Sequence, residues 1–181
     1  MHPRLAELTD YLAQQRLAVL TAAALVPSAL WTEAPAPDHW SVSQILEHLH
    51  RVERGTAALL AKRIRGAVEA GHPRETETSS VLGTLERFAV SDRARRLVAP
   101  PLVDPTENPD RETIERRLAE SRAALLGALE SGDGLALGEI RHTHLRFGEL
   151  DLYQWILFVG EHEKRHALQL EEAAAQLAPA S

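Results

Sequence analysis

Cysteine is absent from this chain of 181 residues. Its absence removes disulfides, thiolate metal sites and a protein thiol nucleophile together. No apolar run is long enough to cross a bilayer. The opening Met1-His2-Pro3-Arg4-Leu5-Ala6-Glu7 also lacks the apolar stretch and cleavage site of a secretory signal. A cytoplasmic protein with no membrane partner is therefore expected. An excess of positive charge is missing too. Twenty Lys and Arg against 26 Asp and Glu leave a net charge of −6, without the basic footprint of a nucleic-acid binder. The local cluster Arg87, Arg93, Arg95 and Arg96 reads as a solvated face. Strand-like alternation, internal repeats and low-complexity segments are likewise not evident. What is present, 44% hydrophobic and 25% charged residues, is ordinary for a soluble globule, and the length suits a single domain over 1–181.

Four long segments carry apolar residues at helical spacing. The first spans about 3–30 through Leu5, Leu8, Leu12, Leu17, Leu20 and Leu25, with Pro27 set to kink or end it. The second has a capping box, Ser41 with Gln44, and Trp40 placed to staple onto Ile45. It runs through Val42, Ile45, Leu46, Leu49, Leu60 and Ile64 towards Gly71. The middle, 71–109, is less regular and holds a short helix over 80–88 before a proline-punctuated stretch. The third helix starts near Asp110 and stops at Ser131-Gly132-Asp133-Gly134. The fourth repeats the second's opening: Asp151 caps, Gln154 closes the box, and Leu150 staples to Trp155. It follows a loop through His142 and His144 and continues to about Leu177. Four amphipathic helices with polar connections predict an all-α four-helix bundle.

The stretch His162-Glu163-Lys164-Arg165-His166 places two imidazoles one helical turn apart, on one face and close enough to grip one ion. Imidazole is the commonest nitrogen ligand for divalent transition metals. On the second helix His48 shares a stripe with Ile45, Leu49 and Val52, whereas His50 lies at its edge or beyond. His2, His39 and His72 read as surface residues. Three histidines thus point into one core, and an unpaired buried imidazole carries a desolvation cost that a shared metal removes. Such a triad leaves a coordination position open. His48 lies ~10 Å from its helix start and His162 ~16 Å from its own, so a modest stagger must bring them level.

The five residues also spell H-E-x-x-H, the zinc-peptidase signature. The downstream ligand of those enzymes is missing: His166 is followed by Ala167-Leu168-Gln169-Leu170, and no edge strand is evident. Glu163 then reads as a helix former at an exposed position, with assistance to a metal site as its minor role. Lys164 and Arg165 nearby leave room for an anionic substrate.

Trp40-Ser41-Val42-Ser43-Gln44-Ile45-Leu46-Glu47-His48-Leu49 resembles the second-helix motif of the DinB-like superfamily. Gly148-Glu149-Leu150-Asp151-Leu152-Tyr153-Gln154-Trp155, running into His162-x-x-x-His166-x-x-Gln169-Leu170, resembles its C-terminal motif. His144-Leu145-Arg146-Phe147-Gly148 is similar to the loop that precedes it. The resemblance implies a four-helix bundle of the DinB/YfiT-like type, often a homodimer. It implies one divalent metal, nickel or zinc, held by His48, His162 and His166. It also implies a small-molecule substrate, with chemistry that is either hydrolysis or S-transfer using a low-molecular-weight thiol such as bacillithiol or mycothiol. The three imidazoles serve both chemistries and do not choose between them. A non-catalytic metal-binding or dimeric scaffold, and a metal-free interaction module, stay open beside the enzyme. Leu17 with Leu20, or Phe158 beside Leu157, would supply a dimer face.

Overall fold

A computed structural model describes residues 1–94 and 98–177; Arg95 and Arg96 of the basic cluster lie outside the described residues. Its helices are α1 (Pro3–Ala24), α2 (Val42–Glu69), α3 (Arg111–Ser131) and α4 (Leu152–Leu177). The first stops short of the expected boundary. The residue before a proline is pushed out of the helical region, so Pro27 ends α1 at Ala24, and a separate 3-10 turn occupies Ser28–Leu30. Both capping boxes form. Ser41 Oγ accepts from the Gln44 N–H at 3.1 Å while Gln44 Oε1 accepts from the Ser41 N–H at 3.0 Å. Asp151 and Gln154 exchange the same pair at 2.9 and 3.2 Å. Asp110 caps α3 through the Thr113 N–H at 2.8 Å.

Two expectations change in the connections. Residues 80–88 form turns that close in a 3-10 turn, Glu86–Phe88, rather than a helix. The segment before α4 is a hairpin, β1 (Arg141–His144) against antiparallel β2 (Gly148–Asp151). Its strands are four residues each, too short for alternation to register, and Gly148 at φ 74° makes the tight return that other residues resist. The proline-rich stretch 98–109 is strapped along α2. Ser41 Oγ donates to Asn108 Oδ1 at 2.7 Å, and Arg51 donates to Thr106 Oγ1 and the Leu102 carbonyl at 2.9 and 3.0 Å.

The core falls into two apolar clusters. One gathers the start of α1 and α4 with the ends of α2 and α3 (Leu5, Leu8, Leu60, Ile64, Leu125, Leu129, Ile156). The other gathers the opposite ends (Val19, Ala23, Ile45, Leu46, Ile114, Leu118, Leu170). Hence α1 runs parallel to α4 and α2 parallel to α3, the two pairs being antiparallel, and residues 70–110 make the long return this order requires. Leu157 and Phe158 are buried, so they offer no outer face; Leu17 and Leu20 of α1, and Leu25 just after it, are exposed rather than part of the core. Among the described residues no helix is long and apolar enough to cross a membrane.

Candidate metal centre

The three histidines singled out above meet in the structure. Their ligating nitrogens all lie within 4.8 Å of one another, and His162 Nε2 stands 3.1 Å from both His48 Nε2 and His166 Nε2. The stagger resolves because α2 and α4 are antiparallel, so the start of α2 sits beside the end of α4.

Hydrogen bonds set which nitrogen each ring offers. His48 Nδ1 faces the Val103 carbonyl at 2.7 Å. A carbonyl only accepts, so Nδ1 carries the proton and Nε2 keeps its lone pair. His166 Nδ1 likewise donates to Gln169 Oε1 at 2.7 Å. Two lone pairs therefore converge on His162 Nε2, which has one hydrogen to give and can satisfy one neighbour only. A cation satisfies all three. The spacing suits it, since nitrogens bound ~2.1 Å from one ion sit about 3.0 to 3.4 Å apart, from octahedral to tetrahedral angles. The donor set is all imidazole, suited to zinc or nickel rather than calcium or magnesium.

Burial lowers the pKa of His48, partly offset by the Val103 carbonyl and Asp104. It drives His162 and His166 well below 6.5, with the neighbouring histidines adding to the shift. All three are neutral near pH 7, the form in which imidazole binds metal. His48 and His166 are buried, and His162 is only partly exposed. Trp40 lies over the cluster, its ring 5.0 Å from His48 and 6.5 Å from His166, and Phe158 stacks on His162 at 5.4 Å. A cleft of about 60 Å³ bounded by Trp40, Arg93, Gln169 and Glu172 adjoins His166's partners. A larger groove of about 730 Å³ lies between α1 and α3 and touches none of the three histidines.

The other histidines stand outside the cluster, although His144 is near enough to act on His162. His50 turns to α3 and bonds the Arg117 carbonyl at 2.9 Å. His142 accepts from Arg63 at 2.7 Å. His144 packs against Phe147, Trp155 and Phe158, with Nδ1 accepting the backbone N–H groups of Arg146 and Phe147 at 3.1 and 3.3 Å. Burial, with Arg146 nearby, lowers its pKa to about 4.

Glu163 corrects the sequence reading. It is 1% exposed rather than a surface helix former. Its two oxygens take hydrogen bonds from Arg16 and Arg122 at 2.6 to 2.9 Å, so it is committed to α1 and α3 and not to the histidines. This placement adds to the grounds, already present in the sequence, against a zinc-peptidase site. Arg165 is also buried and donates to the Asp92 carbonyl, while Lys164 is exposed. Arg16, Glu53 and Arg122 were not singled out from the sequence, although each lies three or four residues from core members on its own helix, as Glu53 does from Leu49 and Ala57. A charge inside an apolar stripe was the available signal.

The three-histidine cluster fits a metal-binding protein. A model of the DinB superfamily matches residues 9–170. The uncharacterized protein YuaE of Bacillus subtilis (strain 168) is 27% identical over 141 residues, 77% of this chain and 80% of that protein. No solved structure matches.

Proposed function

This chain belongs to the DinB superfamily, and from that membership and the histidine cluster we propose a metal-dependent enzyme acting on a small molecule, of the thiol S-transferase or hydrolase kind. His48, His162 and His166 would hold one zinc or nickel ion. The observation that carries the reading is the convergence of two lone-pair nitrogens on a third, with both outer Nδ1 atoms already engaged. A divalent ion, when bound there, supplies Lewis acidity that lowers the pKa of a thiol or of water brought to it.

The chain's own residues do the rest. Val103 and Gln169 orient the outer imidazoles, as supporting hydrogen bonds do in other metal sites. Trp40 and Phe158 shield the cluster from bulk water, which strengthens electrostatic interactions inside it. Arg93 and Arg165 act electrostatically on His166, and both Arg146 and Arg93 act on Arg165. Glu172 pairs with Arg93 at 2.5 Å and, with Asp92, also acts on Arg165, so this rim carries both signs; an anionic substrate would have to compete with Glu172 for Arg93. The net charge of −6 argues against nucleic acid as the partner. The working unit would be a homodimer, and the setting the cytoplasm.

The test begins with elemental analysis of untagged protein. About one zinc or nickel per chain is expected in the native protein and little in His48→Ala. Thermal unfolding should also rise with added metal in the native protein only, by about 2.7 kcal/mol at a hundredfold excess over Kd. Metal-loaded protein is then incubated with bacillithiol or mycothiol and monochlorobimane, and separately with ester and amide substrates. Turnover above that of His48→Ala supports an enzyme. Stoichiometric metal without turnover on either set leaves a non-catalytic metal-binding protein, and a folded chain that takes up neither ion removes the proposal.

A further inference from the structure

Between the two apolar clusters lies a layer of charge, and every helix contributes one residue to it. Arg16 falls between Leu12 and Val19, Glu53 between Leu49 and Ala57, Arg122 between Leu118 and Leu125, and Glu163 between Val159 and Ala167. The four close into a ring. Arg16 Nη2 donates to Glu53 Oε2 at 2.8 Å and its Nε to Glu163 Oε1 at 2.6 Å. Arg122 Nε donates to Glu53 Oε1 at 2.6 Å and its Nη2 to both Glu163 oxygens at 2.9 Å. Ser121 Oγ adds a bond to Glu53 Oε2 at 2.5 Å, and the two Nη1 groups reach the Leu118 and Leu12 carbonyls at 3.0 and 2.8 Å. Both carboxylates are 1% exposed.

The distribution of sign has a pattern. Both glutamates stand on the helices that carry the histidines, and both arginines stand on the helices that do not. Glu163 follows His162 directly, and Glu53 lies five residues after His48. Buried ion pairs are a poor source of stability, because desolvation cancels most of their attraction and apolar residues of similar volume commonly do as well. What they offer over apolar packing is direction. A guanidinium presents its donors in a fixed plane, and one that bridges two carboxylates sets the angle between their helices. That angle matters at a metal centre. A side-chain nitrogen ~5 Å from the helix axis moves ~2 Å when the helix turns by about 20°, as much as a whole metal–nitrogen bond.

We propose that the Arg16–Glu53–Arg122–Glu163 ring is the positioning device of the histidine centre, fixing the rotation of α2 and α4 so that His48 meets His162 and His166. The four are positioning residues, and the role rests on reading the three histidines as a metal site. Groups hydrogen-bonded to metal ligands govern affinity by about 10–100-fold, and a ring that orients the ligands through their helices is expected to act towards the lower end of that scale.

Two variants test it: Glu163→Gln, and an apolar quadruple replacement of Arg16→Met, Glu53→Leu, Arg122→Met and Glu163→Leu. Zinc affinity is measured by chelator competition, geometry by the visible absorption of cobalt-loaded protein, and stability by thermal unfolding in EDTA. The quadruple variant is expected to match or exceed native stability in EDTA, yet bind zinc at least tenfold more weakly with a changed cobalt spectrum. Glu163→Gln, which keeps the shape, should weaken zinc in the same direction while remaining folded. Native affinity and an unchanged cobalt spectrum in either folded variant overturn the proposal, and the ring is then structural only. A native protein that binds neither zinc nor cobalt removes the metal centre itself and the role with it.

Discussion

Val103 and Gln169 are small details that fix large ones, since each takes the Nδ1 proton of an outer histidine and leaves Nε2 aimed at His162. Burial holds these imidazoles below their ordinary value of 6.5, and holds His144 at about 4. The unfolded chain therefore binds more protons than the folded one once pH drops beneath about 6.5, and stability rises with pH in that window. Metal-free protein should keep its full stability above about 6.5 and lose it progressively towards the lower folded values. Urea midpoints taken in chelator between pH 7.5 and 5 check this, and a flat profile contradicts it. Glu53 is lowered as well, for a different reason and in a more acid window: burial pushes its carboxyl up, but Arg16 and Arg122 outweigh that and hold it below 4.5. Its contribution is present above 4.5 and is lost at more acid pH, so the two effects separate. From the sequence, the identity of the three histidines was legible in helical stripes. Their tautomers were not, because Val103 lies 55 residues from His48 and no local pattern links them.

At the level of elements, close approach of α1 to α4 depends on one small residue. A Cβ at Gly160 would stand 2.6 and 2.8 Å from the Tyr11 ring, whose hydroxyl donates to Glu161 at 2.5 Å. Gly160→Ala should destabilise by about 1–3 kcal/mol despite alanine's better helix propensity, since an aromatic ring cannot yield as a flexible chain would. Gly66→Ala, with nothing within 4 Å, should stabilise by about 0.5–1 kcal/mol. Urea denaturation distinguishes the signs as opposite shifts of midpoint at constant slope. Helix starts were the most readable elements, because Ser41-x-x-Gln44 and Asp151-x-x-Gln154 satisfy their own end groups locally. The hairpin Arg141–Asp151 and the 3-10 turn at Glu86–Phe88 were read wrongly. Short elements hold their shape through tertiary contacts, such as the Trp155 indole donating to the His142 carbonyl at 3.1 Å.

Over the whole molecule, α1 and α3 are the pair that stand apart, leaving the groove of about 730 Å³ with Arg16 and Arg122 among its lining. On α1 Leu17 is 66% exposed, and Leu20 and, just past the helix, Leu25 also reach solvent. The homodimer in the proposed function would bury these leucines. Sedimentation of the native protein should then show a dimer and Leu17→Glu a monomer, whereas a native monomer at tens of micromolar discards that part of the proposal. The apolar periodicity, caps and histidine spacing were enough by themselves to specify four helices and to put His48, His162 and His166 on inward faces, because both properties follow from 3.6 residues per turn. Only the packed bundle decided that α2 and α4 run antiparallel at a level where the rings touch. Only it turned Glu163 from an apparent surface residue into a buried partner of two arginines, because a charge on an apolar stripe finds its counter-ions on other helices, far away in sequence.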